Sequence, residues 1–147
     1  MEADQPDECR FSVDQSFWSV ANGCLLTAPN YADWVLNGDA SYAFHRHRRT
    51  LNLIAAGDPR PWLLKDPSYL FAPEAMMQAF PDALVVWAHR DPVATIVSAA
   101  SIIHDIRGVT EGVHAQQTGR DTLAQWGAAL AKTERWAREC RWEHRPS

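Results

Sequence analysis

VVWAHRDPVATIVSAAS, residues 85 to 101, changes its hydrophobic period in the middle, and that change decides the fold. From Ala83 to Arg90 the residues are apolar and β-branched or aromatic, which predicts a buried strand. Asp91-Pro92 is then a helix start: aspartate accepts from the first free N–H groups, and proline fits the first helical position. Beyond it Val93, Ile96, Val97, Ala100 and Ile103 recur at helical spacing, while Ser98, Ser101 and Asp105 share the opposite side. Strand, sharp cap and amphipathic helix form half of a βαβ unit.

The other half lies just upstream. Trp62 to Leu64 is a short apolar run bounded by prolines and ending at Lys65, which predicts another buried strand. A helix should follow from near Ala72, with Pro73 in its first turn, and stop at Pro81-Asp82. Two strands separated by a helix predict a right-handed crossover in a parallel sheet. Further out, PNYADWVLNGD predicts a short helix from Pro29 to Asn37-Gly38, ended by a left-handed residue. ASYAFHRHRRTLNLIAAG predicts a longer helix stopping at Gly57, and residues 119 to 142 a late amphipathic one. Before Pro29 the apolar residues are scattered among turn formers, which fits packed loop or short helix.

The 147 residues suit a single domain, 1–147. A net charge of −4 argues against a general nucleic-acid binder or a membrane-surface binder, either of which needs a basic face. Cys9, Cys24 and Cys140 are too widely spaced for a disulfide framework or a zinc ribbon, so a reducing, cytoplasmic setting is expected. The acidic amino terminus lacks the features of a signal peptide, and no apolar run approaches a membrane span. His45 and His47 diverge on a helix and have no carboxylate pair beside them, so no metal is expected.

In open parallel sheets ligands gather at the carboxyl ends of strands, where Lys65 and Arg90 both fall. Arg90 offers a planar set of donors that matches phosphate oxygens, and the Ser98 hydroxyl, two helical turns on, can donate to the same group. A plainer account makes Arg90 a surface cation paired with Asp82 or Asp91, and the serines part of a solvated face.

PWLLKDPSYLFAPEAMMQAFPDALVVWAHRDPVATIVSAAS resembles the central block of the bacterial sulfotransferases that use 3′-phosphoadenosine 5′-phosphosulfate (PAPS). A strand ending in L-K-S-P, a helix, F-P-D-A, a strand, H-R-D-P and a helix serine occur there in that order, and the likeness spans roughly residues 29 to 130. It implies an α/β, partial P-loop-like three-layer fold, helix-rich, with a short parallel sheet flanked by helices. It also implies sulfuryl transfer from PAPS to a small-molecule hydroxyl acceptor, without a metal. Arg90 and Ser98 would hold the 3′-phosphate of the donor, and Lys65 would lie near the transferred group.

The chain departs from that pattern in places. The family opens on a strand and a Gly-rich loop that cradles the 5′-phosphosulfate, whereas the seven glycines here are all isolated. L-K-S-P-x-H reads L-K-D-P-S-Y, with Asp66 for the serine and Tyr69 for the histidine; tyrosine, with a pKa of about 10, is a poor base at neutral pH. His45, on the helix leading into the lysine segment, is the candidate catalytic base, against a plainer reading in which His45 and His47 belong to a solvated basic face. The domain is therefore expected to be incomplete, with an exposed sheet edge and poor solubility. The alternatives are a non-catalytic nucleotide-binding or interaction fragment derived from a sulfotransferase, and a remnant of an adenylate-type kinase.

Overall fold

Caps and prolines set the helix boundaries in the computed structural model, which describes residues 8–110, 112 and 114–140. The elements are α1 (Arg10–Asp14), α2 (Val20–Leu25), α3 (Pro29–Asn37), α4 (Ser41–Ala55), a 3₁₀ helix (Pro67–Phe71), α5 (Pro73–Ala79), α6 (Pro92–Thr110) and α7 (Ala115–Glu139). Ser19 starts α2 by accepting from the Asn22 N–H at 3.0 Å. The helix expected to stop at Gly57 ends one residue earlier, on Ala56 at φ 46°, with Gly57 at φ 89° after it. Gly38 does end α3, but not in the left-handed region: its φ is −77°. Glycine is needed there for close approach instead, because a Cβ would come within 2.5 Å of the Trp34 carbonyl oxygen.

The core lies among the helices. Trp18, wholly buried, donates its Nε1–H to the Val35 carbonyl at 3.1 Å and meets Phe44 at a ring separation of 5.6 Å. Phe44 in turn contacts Tyr69, and Phe71 meets Trp126 of α7 edge to face. Around this aromatic line α4 packs on α1 and α5, α2 on α3, and α6 along α7. Arg107, buried on α6, donates to the Cys24 and Leu26 carbonyls and pairs with Asp121 at 3.1 Å, which ties α2 to α6 and α7.

The expected parallel sheet is absent: among the described residues there is no strand. Both expected strands, Trp62 to Leu64 and Ala83 to Arg90, are irregular segments. Leu63 is 96 % exposed, Leu84 90 % and Val86 85 %, while Val85 and Trp87 are half-buried. The alternation of a strand is therefore present without its ladder. A strand exists only where a neighbour runs about 4.8 Å away to take its N–H and C=O groups, and the one described backbone bond to the lysine segment is Cys9 N–H to the Lys65 carbonyl, 3.1 Å. The expected helix-rich character holds, while the α/β class is corrected: in place of the sheet, two unpaired segments lie between helices. No described helix is long and apolar enough to cross a membrane.

Candidate functional site

The start of α6 is built as its Asp-Pro pair predicts. Asp91 Oδ1 accepts from the Val93 N–H at 2.9 Å, and the Asp91 carbonyl accepts from Thr95 Oγ1 at 2.8 Å. Just before it the His89 and Trp87 rings lie 4.7 Å apart and tilted by 30°, so the approach to the helix is held by stacking. Arg90 stands between these two fixed points. It is exposed and has no hydrogen bond or ion pair among the described residues; the Asp91 carboxylate is engaged with the helix N–H instead. An unpaired guanidinium beside a helix amino terminus carries positive potential from both. Ser98 is exposed on the same helix, about 9 Å along the axis from Pro92 by the usual rise.

Lys65 is paired with Glu8 across the surface, and its carbonyl holds Cys9. The next residue repeats the device of α6: Asp66 Oδ1 accepts from the Ser68 N–H at 2.7 Å, and Pro67 opens the 3₁₀ helix. Asp66 is buried, and burial pushes its carboxyl above the ordinary range against the opposing pull of Ser68. Tyr69 follows on the same helix, its phenol also pushed up by burial.

Behind Tyr69 lies a histidine, but not the one the sequence pointed to. His47 is 0 % exposed; its Nδ1 lies 2.9 Å from Ser12 Oγ and its Nε2 3.4 Å from the Tyr69 hydroxyl. Burial lowers its pKa, which favours the neutral ring. The expectation that His47 belongs to a solvated basic face is thus corrected. A signal was available, since His47 stands three residues after Phe44 and four before Leu51, inside the apolar stripe of α4. His45 faces solvent, and no hydrogen bond or ion pair joins it to Lys65 among the described residues. The structure places Arg90 two residues before the start of α6 and Ser98 on that helix, and sets Tyr69 and His47 beside the lysine segment. Among the described residues, no group of three or more histidine, cysteine, aspartate or glutamate side chains could hold a metal ion.

A sequence family described as the sulfotransferase family matches residues 1–145. The crystal structure of the sulfotransferase STF1 from Mycobacterium tuberculosis H37Rv superposes with a TM-score of 0.82 at 37% sequence identity, covering 95% of this chain and 39% of that one. The chain thus spans about two fifths of the length of that enzyme. No curated protein sequence matches.

Proposed function

The chain belongs to the sulfotransferase family, and on that premise we propose that it serves sulfuryl transfer from PAPS to the hydroxyl of a small-molecule acceptor. Arg90 carries the reading: an exposed guanidinium without a carboxylate partner among the described residues, just before the amino terminus of α6, suits a phosphate, and the Ser98 hydroxyl can donate to the same group. In this reading the pair holds the 3′-phosphate of the donor. The acceptor oxygen forms a bond to sulfur as the bond from sulfur to the bridging phosphate oxygen breaks, and the hydroxyl proton passes to a base. Lys65 neutralises the charge left on the bridging oxygen. Its exposed pairing with Glu8 does not prevent this, since such pairs are worth only about 0–1 kcal/mol. His45 is the proposed base.

Calorimetric titration with 3′-phosphoadenosine 5′-phosphate, with 5′-AMP as the control that lacks only the 3′-phosphate, tests the assignment. Binding should require the 3′-phosphate, and Arg90→Ala should weaken it by roughly 1.5–3 kcal/mol, the worth of a charge-assisted hydrogen bond. An unchanged affinity in Arg90→Ala would refute the phosphate role. Lys65→Ala should lower transfer of labelled sulfate more than nucleotide binding, and full turnover in His45→Ala would remove that histidine as the base. The seven isolated glycines favour a second reading, in which the chain holds the nucleotide without transferring the group. Nucleotide binding with no labelled product would support it.

A further inference from the structure

Five buried side-chain polar atoms lack a well-formed hydrogen bond among the described residues, and four of them belong to residues lining one cavity: Arg10 Nε, Asp66 Oδ2, Ser68 Oγ and Trp126 Nε1, of which Ser68 has only a weak interaction with Asp66 and Trp126 only one with the Cys24 thiol. Buried polar groups are nearly always satisfied, so such a concentration around one space points to an occupant that makes hydrogen bonds. The nearest carboxylate does not relieve Arg10, whose Nε lies 4.0 Å from Asp14.

The cavity is about 270 Å³, open on one side, and is lined by Val20, Ala21 and Leu25 on α2 and by Ala99, Ile102 and Ile106 on α6. Its polar end is formed by Asp66 and Ser68, 7 % and 4 % exposed. Glu8, the partner of Lys65, lines the cavity too, so this end lies next to the lysine. Apolar walls with a few polar atoms at one end suit a molecule with an apolar body and one polar tip. A sugar would leave most of its hydroxyls unpaired against valine and isoleucine. A carboxylate tip would meet Glu8, Asp14 and Asp66 against the single Arg10, and so is disfavoured. A single hydroxyl fits, because it can donate to Asp66 Oδ2 while accepting from the Ser68 hydroxyl.

We propose that this cavity binds an apolar alcohol or phenol, its hydroxyl held by Asp66 and Ser68. The further step, that this molecule is the acceptor of the sulfuryl group, rests on the transfer reading above. Asp66, which stands where the related pattern has serine, then has a role of its own in binding.

Calorimetry with 2-naphthol, with maltose as the sugar comparison, tests the site on the full chain, and 3′-phosphoadenosine 5′-phosphate is titrated into the same samples. Naphthol should bind and maltose should not. Ala21→Phe, which fills the cavity from α2, should abolish naphthol binding and leave nucleotide binding intact. Asp66→Asn keeps an oxygen for the Ser68 N–H but loses the free carboxylate oxygen, and should weaken naphthol by about tenfold or more. It keeps the test decisive if Ala21→Phe does not fold. Naphthol that fails to bind, or binds equally to the wild type and Asp66→Asn, overturns the proposal even where the nucleotide binds. Naphthol binding that both variants abolish, in a protein that ignores the nucleotide, upholds the cavity and removes the transfer reading alone.

Discussion

His47 is buried on α4 with only neutral hydrogen-bonding partners, Ser12 and Tyr69, and burial lowers its pKa from the ordinary value of 6.5. Protonation would place an unpaired charge in the core, so its contribution to stability is whole above about pH 6.5 and is lost as the pH falls through the lowered value. The urea midpoint should drop between pH 7.5 and pH 5.5, and His47→Gln should flatten that drop while lowering stability at pH 7.5. Equal pH dependence in the two proteins would show that His47 is not the titrating group. Asp66 and Asp14 act with the opposite sign, since burial raises both carboxyls and their contribution is lost as the pH rises through the raised values. Comparing wild type with variant cancels them. Telling the buried His47 from the exposed His45 needed only the helical stripe, which Phe44 and Leu51 define; their residue types alone could not.

At the scale of elements, the same device recurs at both halves of the candidate site. Asp91-Pro92 opens α6 and Asp66-Pro67 opens the 3₁₀ helix, each aspartate accepting from the N–H two residues on. Asp91→Ala should cost about 0.5–2 kcal/mol, as the loss of a helix cap does, and should also weaken nucleotide binding because the start of α6 positions Arg90. Denaturant titration reads the first and calorimetry the second; an undiminished stability would mean that Pro92 and the stacked Trp87 and His89 fix this junction alone. The helices were largely legible because caps, prolines and periodicity act within a few residues. The short α2 was left open between packed loop and short helix because six residues show too little periodicity, although its cap, Ser19, is of the expected type. The Asp66-Pro67 start was legible too, by the rule already applied to Asp91-Pro92.

Across the whole molecule, the helical core leaves Leu63, Leu84 and Val86 in solvent on the two irregular segments. Exposed apolar side chains beside backbone groups without a ladder favour association. Light scattering should show concentration-dependent self-association that Leu63→Lys with Leu84→Lys suppresses; a wild-type monomer at high concentration would contradict this. By itself the sequence determined the helices of the central block, the sharp start of α6, and the placement of Arg90 just before that start and of Ser98 on the helix, because these follow from contacts a few residues apart. Tertiary structure alone decided that the apolar runs at 62–64 and 83–90 stay unpaired, because a strand is completed by a neighbour distant in sequence. It also decided that His47 meets Ser12 and Tyr69, that Lys65 meets Glu8, and that Asp66 and Ser68 close one end of a cavity walled by α2 and α6. Each of these joins segments dozens of residues apart, so each depends on the packing of the whole chain.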